Sequence, residues 1–589
     1  MTDDVMPAVG ESARPSAEPS RSPLLIVGGA ALLIGLWWLL QLWGLGAHPF
    51  HTHGEAREAL VVWQMTHDGG WILPRRDGPS GSEIPSKPPL FHWLAALTAV
   101  IHGDTDEWSI RLPSAALSLA GGLVTYATGV ALWGAGAGLC AATITLTSFE
   151  WQRAATGARV DMALTFGLVV AFCSYLFFAR RDGRPGWLLP FYGGMAFAVL
   201  AKGPVGVALP ALLIGASCAV QRDVEPLRRL RLLRGLTAVT CIAGLWYLLA
   251  MWVGGFAFVG KQLLNENVFR LFDANDFEGG HRHGPFYLLW SLAAGFLPWT
   301  LLLPGAVTAW WRARAEWTSR DPRVYMLLWI VIVFALYSLA VSKRSVYLLA
   351  LYPALGLLLG SWVADVVRSG ATDVMPGWWR IVLRGLALTL AGLIGALIAL
   401  TIFAALGMPL VEWVAARFGT EAGSYGTWIA AALRGQWLVS LGCLGVAAAA
   451  AWWLARALAA RAWPPVVVAL LLIQCAGAVL TSQVVMPAIA GHLTYRAFMP
   501  AVRAVIGTQT PLFFYRTFEY EAAFYWGGHI GVYGKDLSAA APRYLLMTRR
   551  EWEQLPAAPR DLYERVPLPA AVEEGDEQRL VLVRKRADG

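Results

Sequence analysis

The chain is built on repeated stretches of about 18–25 mostly apolar residues, the length at which a helix crosses the roughly 30 Å hydrocarbon core of a bilayer. A backbone in lipid must satisfy its own N–H and C=O groups, so such runs fold as helices or as closed barrels. Their length and lack of two-residue alternation select helices. About thirteen spans are predicted, near 23–46, 112–133, 136–149, 162–179, 187–201, 204–221, 235–254, 285–310, 324–342, 345–363, 381–407, 435–456 and 464–485. The fold class is an all-α polytopic membrane protein.

Composition agrees. Charged residues make up 15% and apolar residues 57% of the 589, against about 25% and 45–50% in soluble domains. The formal charge of +8 suggests Lys and Arg gathered at cytoplasmic helix ends rather than a nucleic-acid surface. RRDGR (180–184), RDVEPLRRLRLLR (222–234), WRARAEWTSRDPR (311–323) and RALAAR (456–461) are alternate connections and fall on one side. The other side then holds the 48–111 insert, FEWQRAATGARVD (149–161), AKGP (201–204), the 255–284 loop, SKRS (342–345) and the C-terminal region. The six cysteines each sit in an apolar run and form no CxxC pair, so they suit small buried side chains. There is no GxGxxG and no Walker phosphate loop.

Three domains are expected. Residues 1–22 are a Pro/Ser-rich disordered cytoplasmic tail, and the run after Pro23 is a retained span. Residues 23–485 form the transmembrane domain, with the 47–111 outer loop and its juxtamembrane helices. Residues 486–589 form a small extracytoplasmic α/β domain. There, short β-rich runs (PLFFYR, HIGVYG, RYLLMT, RLVLVRK) alternate with helical pieces (YEAAFYW, RREWEQL).

The 48–111 insert carries eight acidic residues and six histidines, more ionisable groups than a connection between two spans needs. Loops held by a rigid scaffold are where binding and catalysis concentrate. It contains His51-Thr-His53-Gly54-Glu55-Ala-Arg57-Glu58 and Ser86-Lys87-Pro88-Pro89, then LFHWLAALTAVI, a short apolar helix suited to the membrane interface with Trp93 as its anchor. On the same side lie Arg153 with Arg159-Val-Asp161, Lys202-Gly-Pro, Asn265-Glu266-Asn267 with Arg270, His281-Arg282-His283, and Lys343-Arg344 with Tyr347. Ionisable groups at membrane depth are costly and mark function. One or two carboxylates facing several cations suit group transfer from a phosphate leaving group. Lys and Arg would hold the phosphate, and a carboxylate would take the proton of an attacking hydroxyl. Bland readings stand beside this one: Asp161 also suits a helix start, Lys202 and Lys343 also suit snorkelling to headgroups, and Glu55 also suits a solvated carboxylate. The HxH pairs at 51/53 and 281/283 are candidate metal ligands that lack a third ligand at defined spacing.

These elements, in order, resemble the integral-membrane GT-C glycosyltransferases of the protein mannosyltransferase and aminoarabinose transferase type. The resemblance is carried by Gly54-Glu55-Ala-Arg57, Gly70-Trp71-x-x-Pro74-Arg75, Lys87-Pro88-Pro89-Leu90, Glu107-Trp108-x-x-Arg111-Leu-Pro113 and Asp161-Met162. It continues through Lys202-Gly203-Pro204, Trp246-Tyr247, His281-x-x-x-Pro285-Phe-Tyr287, Phe296-Leu-Pro298-Trp299, and Lys343 before Tyr347. It implies transfer of a sugar from a polyprenyl (undecaprenyl) phosphate to a hydroxyl or phosphate acceptor, whether a lipid A-like lipid, a protein or a glycan, on the outer side of a bacterial inner membrane. Lys87 is then expected at the donor phosphate, with Lys202, Arg270 and Lys343 beside it. Glu55 and Asp161 are the expected catalytic carboxylates, and Arg57, Glu83, His281 and Tyr347 the expected substrate contacts. The sequence departs from the family at Gly54, where an Asp is usual, and at Ser86, where a Glu is usual and Glu83 is near. No cofactor is required by the sequence; His53 and His281 are the candidates for a divalent metal. Membrane lipids are expected partners and nucleic acid is not. A transporter or flippase of polyprenyl-linked sugars is the competing reading, in which broken spans would recur as paired repeats. A scaffold without activity is the third.

Overall fold

A computed structural model describes residues 22–180, 183–262, 283–284, 286–340, 342–406, 420–507, 510–538, 540–569 and 579–586. Arg270 and His281 lie outside the described residues, as does the 1–21 tail. Among the described residues, nine helices are long and apolar enough to cross a membrane, and a tenth if one bent pair counts as a single span.

The first half of the chain is a series of helices: α1 (Pro23–Trp37), α2 (His53–Asp68), α3 (Leu90–His102), α4 (Glu107–Trp133), α5 (Ala135–Thr147), α6 (Phe149–Ala155), α7 (Val160–Arg180), α8 (Leu188–Lys202) and α9 (Val205–Gln221). Longer spans follow at Leu232–Phe258, Pro322–Leu339, Tyr352–Ser369, Gly377–Ala405, Trp437–Ala460 and Trp463–Leu480. Three predicted spans are short helices. α5 has 13 residues, α8 has 15 and α9 has 17; at 1.5 Å per residue α5 rises only about 20 Å. The predicted span 285–310 is instead two helices, Tyr287–Gly295 and Trp299–Glu316, bent by 98°. The break falls at Phe296-Leu297-Pro298, where the proline removes a backbone donor. It is the one such bent pair among the described residues, so the paired repeats of the transporter reading have no counterpart there.

Lipid offers no hydrophobic drive between helices, so their contacts rest on close approach and hydrogen bonds. A Cβ added at Gly167 of α7 would lie 2.7 Å from the Gly194 carbonyl oxygen of α8, and one at Gly194 would lie 2.6 Å from that of Gly167. The two backbones therefore touch. The largest buried rings find acceptors: the indole N–H of Trp151 donates to Ser118 Oγ (2.7 Å), that of Trp299 to Thr147 Oγ1 (2.9 Å) and that of Trp329 to the Ala350 carbonyl (2.9 Å). Cys173 and Cys218 are buried as expected, but Cys241 is exposed. It lies on Leu232–Phe258, whose Leu233, Ile242, Leu245, Leu248, Trp252 and Phe256 are also turned outward, so its thiol shares an apolar face suited to lipid.

The basic connections gather as charge asymmetry predicted. Arg180 donates to the Arg320 carbonyl (3.2 Å), and Arg320 pairs with Asp223 (2.8 Å), which brings three of the four loops together. α7 separates that end from the end where Asp161 sits, about 30 Å away along the helix.

At the Asp161 end, α2 and α3 lie over the span ends with the short hairpin β1 (Arg76–Gly78) and β2 (Gly81–Glu83). On α3, Leu97, Val100 and Ile101 are exposed, as an interfacial helix requires. Trp93, however, donates to the Trp71 carbonyl at 2.7 Å, so its indole holds protein. The C-terminal region adds β3 (Phe513–Tyr515), β4 (Gly531–Tyr533), β5 (Tyr544–Thr548), β6 (Tyr563–Arg565) and β7 (Leu580–Lys585). They form one sheet of order β4-β3-β5-β7-β6, parallel at β3–β4 and β3–β5 and antiparallel at β5–β7 and β6–β7. Its core is shared with the outer loop: Phe514, Phe524, Leu546 and Leu582 are buried in one cluster with Phe50, Leu60 and Phe91.

The α7–α8 contact sets how far Asp161 stands from Lys202. Gly194→Val is expected to lower the thermal midpoint of the detergent-solubilised protein by several degrees, because backbone cannot give way to the added methyls. A midpoint within a degree of wild type would contradict this packing.

Candidate active site

The outer loop is fixed by one buried ion pair. Thr52 caps α2, its Oγ1 accepting the Glu55 N–H at 3.4 Å. On α4, Asp106 and Ser109 form a capping box, which starts that helix one turn before Arg111. Arg111 is fully buried. Its Nε donates to Glu55 Oε1 (3.0 Å) and its Nη2 to Oε2 (3.3 Å). Nη1 donates to the carbonyls of Leu45 (3.1 Å) and His48 (2.8 Å), and the guanidinium lies 4.9 Å from the Phe50 ring centre. Glu55 Oε1 also accepts the Ala158 N–H at 2.9 Å, just before α7. Burial alone would raise the Glu55 pKa; Arg111 and the Ala158 N–H outweigh it and hold it at about 2. The sequence presented Glu55 as a catalytic base. In the structure its lone pairs are occupied, and it joins α2, α4 and the start of α7.

Glu58, one turn on, is also held twice. Arg57 donates to its Oε1 from Nε (3.1 Å) and Nη2 (2.8 Å), and its Oε2 lies 2.8 Å from His92 Nε2. Burial raises its pKa, and Arg57 and His92 more than reverse that. Neither His92 as the partner of Glu58 nor Arg111 as the partner of Glu55 was evident from sequence: His92 is a lone histidine in an apolar helix, and Arg111 stands 56 positions from Glu55. Glu83, expected to contact substrate, pairs instead with Arg76 across the hairpin (3.2 Å) and accepts the Ser80 N–H (3.3 Å). His53 packs edge-on against Tyr520 at 4.8 Å between ring centres. Among the described residues no three His, Cys, Asp or Glu side chains cluster as metal ligands.

Below this layer the second carboxylate meets its cations. Asp161 lies in the first turn of α7 and Lys202 ends α8 before Gly203. The helix dipoles favour an acid at the one and a base at the other. The two side chains form an ion pair, each 14% exposed. Lys202 Nζ also lies 4.3 Å from the Tyr347 ring centre, and Tyr347 packs on Tyr337 at 5.2 Å. The charges of Arg159 and Lys87 both reach Asp161, and the buried Nε of Arg159 has no hydrogen-bond partner among the described residues. Three cations therefore face one carboxylate. Glu150, which the sequence did not single out, accepts Arg153 at 2.8 and 2.5 Å and Ser345 Oγ at 3.1 Å, so it neutralises Arg153 at the pocket's edge. Its signal was a carboxylate three residues before an arginine between two spans. Lys343 is buried and donates to the Ala340 carbonyl at 2.8 Å, holding its own turn.

The C-terminal region is tied to the same loop. Tyr525 Oη donates to Glu107 Oε1 (2.8 Å) and accepts the Phe50 N–H (2.9 Å). His529 lies 3.2 Å from Asp68 and 3.0 Å from Asp77. Partial burial opposes its charge, but the two aspartates prevail and raise its pKa.

Comparison with known proteins agrees with this architecture. Residues 86–246 match the model of a family described as dolichyl-phosphate-mannose-protein mannosyltransferase. A protein of Pectobacterium atrosepticum named undecaprenyl phosphate-alpha-4-amino-4-deoxy-L-arabinose arabinosyl transferase is 28% identical over 377 residues, 62% of this chain and 65% of that protein. One of the same name from Edwardsiella ictaluri is 27% identical over 389 residues, 65% of each chain. The chain thus spans just under two thirds of the length of these relatives. The crystal structure of ArnT from Cupriavidus metallidurans bound to undecaprenyl phosphate has a TM-score of 0.73 at 20% identity, covering 96% of this chain and 99% of that one; the two share a fold. The GT-C likeness read from the ordered motifs is therefore supported by family, relatives and fold, and the chain is a multi-pass membrane protein.

Two measurements test these ties. Arg111→Met leaves Glu55 buried without its cation and is expected to destabilise the folded protein by about 3–5 kcal/mol, read as a lower thermal midpoint. Because the Glu55 pKa is depressed to about 2, its contribution is complete above the ordinary carboxylate range and is lost as pH falls from about 4.5 towards 2. The His529 clip has the opposite sign. It is complete below the ordinary histidine pKa of about 6.5 and is lost as pH rises through the raised value. Hydrogen exchange in the 75–84 hairpin should quicken above that value, and His529→Gln should remove the pH step.

Proposed function

We propose that this GT-C relative transfers a hexosyl or pentosyl group from a polyprenyl (undecaprenyl) phosphate to a hydroxyl or phosphate acceptor at the outer face of a bacterial inner membrane. The observation that carries the reading is the Asp161–Lys202 pair with Lys87 and Arg159 in electrostatic reach. One carboxylate within electrostatic reach of three cations, at the end of an apolar helical bundle, suits a phosphate that departs while an oxygen attacks.

The transfer is a displacement. The acceptor oxygen attacks the anomeric carbon as the bond from that carbon to the phosphate oxygen breaks. The bonding pair leaves with the polyprenyl phosphate, whose charge Lys87, Arg159 and Lys202 receive. Asp161 takes the acceptor proton where the acceptor is a hydroxyl. Glu55 is assigned a positioning role, because Arg111 and Ala158 occupy it. Tyr347, stacked on Lys202, keeps the lysine within the pocket. Glu58 stands one helical turn from Gly54, where the family usually has an Asp, but its engagement by Arg57 and His92 argues against its serving as the base. No step is routed through a metal: Glu83 is paired with Arg76, and a divalent ion remains a proposal resting on His53 and His281.

Further parts of the reading are also proposals. They are thirteen crossings with the short helices α5, α8 and α9 counted, a periplasmic face for the Asp161 end, a C-terminal α/β domain on that side, and a lipid A-like lipid as the first acceptor to try. The basic connections at the far end support the orientation, and the names of the relatives support the acceptor.

Purified protein in detergent, given an undecaprenyl-phosphate-linked aminoarabinose and a lipid A acceptor, should consume donor and form glycosylated lipid. Lys87→Ala should lower kcat/KM by about 10²–10³-fold, the scale seen when one charge-stabilising group is removed, and Asp161→Asn should lower kcat. Unchanged turnover in Lys87→Ala would overturn the reading. Donor left intact by wild type, with glycolipid moving across proteoliposomes, would favour transport.

A further inference from the structure

The span Leu232–Phe258 does more than face lipid. At Gly255 its backbone has φ +58° and ψ −149°, a conformation open essentially to glycine alone. A Cβ at the preceding Gly254 would lie 2.6 Å from Leu73 Cδ2, so the outer loop rests directly on this helix. Beyond the bend, residues 259–262 make a wide helical turn that carries Gln262 under the loop, where it is 3% exposed.

Gln262 Nε2 donates to the Pro85 carbonyl at 2.7 Å and to the Lys87 carbonyl at 2.9 Å. A side-chain amide nitrogen has two hydrogens, so these contacts use both. The segment they hold is Pro85-Ser86-Lys87-Pro88-Pro89. Its three prolines have no N–H and fixed φ, so only Ser86 and Lys87 bring backbone donors, and its carbonyls find theirs on Gln262. The same span donates once more to the loop, from Trp246 Nε1 to the Ile72 carbonyl at 2.7 Å.

We infer that Gln262 is a positioning residue for the donor phosphate: by holding the carbonyls on either side of Ser86 it sets where the Lys87 ammonium stands relative to Asp161. The inference rests on the function proposed above and deepens it. Lys87 has a flexible four-carbon stem, so its placement depends on how firmly its backbone is held. Three prolines stiffen that backbone, and one amide fixes it to a span. The Gly254-Gly255 bend is what aims the amide.

The test measures binding of undecaprenyl phosphate, free of sugar, to the purified full-length protein, together with KM for donor and for acceptor. Gln262→Leu keeps the bulk and loses both donors. It should weaken undecaprenyl phosphate binding and raise donor KM by about tenfold or more, the loss of one to two hydrogen bonds, with acceptor KM within twofold of wild type. Gln262→Glu, which sets a carboxylate against two carbonyls, should do at least as much. In a Lys87→Ala background Gln262→Leu should cost nothing further, because the group it positions is gone. Wild-type binding in Gln262→Leu overturns the inference, as does an equal loss in the Lys87→Ala background or a parallel rise in both KM values. Should the leucine variant fail to fold, Gln262→Met carries the same test. If Lys87→Ala itself binds undecaprenyl phosphate like wild type, the proposed function fails first, and the two failures are told apart by that single variant.

Discussion

A charge removed from water must be given a partner, and here that requirement builds the outer surface. Moving a carboxylate or a guanidinium out of water costs several kcal/mol even after relaxation. Arg111 is therefore tolerable in its fully buried position only because Glu55, two carbonyls and an aromatic face surround it. Meeting those demands brings the end of the first span, the start of α2, the start of α4 and the turn before α7 to one point. The Asp161 end of α7 stands where it does because Glu55 holds the Ala158 N–H. The pocket below is a consequence of the pairing above it.

This separates two kinds of charge that look alike in a sequence. Glu55, Glu58, Glu83 and Glu150 are each matched by an arginine within hydrogen-bond distance. A matched pair carries no net charge and makes poor bait for a phosphate. Asp161 differs in kind: Lys202 pairs with it, and the charges of Arg159 and Lys87 act on it as well. Positive charge gathered at one place raises the local concentration of anions.

The sequence made the spans legible because lipid enforces length and polarity over about twenty residues at a time. It placed the basic connections at one end, and three of them do meet there, through Arg180, Arg320 and Asp223. Asp161, Lys202 and Tyr347 were legible as candidates because each is an ionisable or aromatic group beside a span end, and the structure brings all three together. What the sequence hid was pairing. Nothing local distinguishes Glu55, held by an arginine 56 positions on, from a carboxylate free to take a proton. The bend at 296–298 was hidden too, since an apolar run looks continuous whichever way its axis turns. Gln262 was invisible for a different reason: a neutral amide gives no charge signal, and its two acceptors lie 177 and 175 positions away.

The absence of an acid at Gly54 then has a physical reading. Gly54 is exposed at the start of α2, with open space where a side chain would stand, while Glu55 beside it keeps the full set of bonds that hold the loop. Removing a carboxylate from position 54 therefore leaves the scaffold untouched and changes only the face presented outward. Asp161, paired with Lys202, stands one layer deeper in the first turn of α7. In the function proposed above, an acceptor would therefore meet its carboxylate below α2 and not at the rim. Tyr525 and His529 fasten the C-terminal region to the same loop, and the two share one buried cluster, so sheet and loop form a single outer layer.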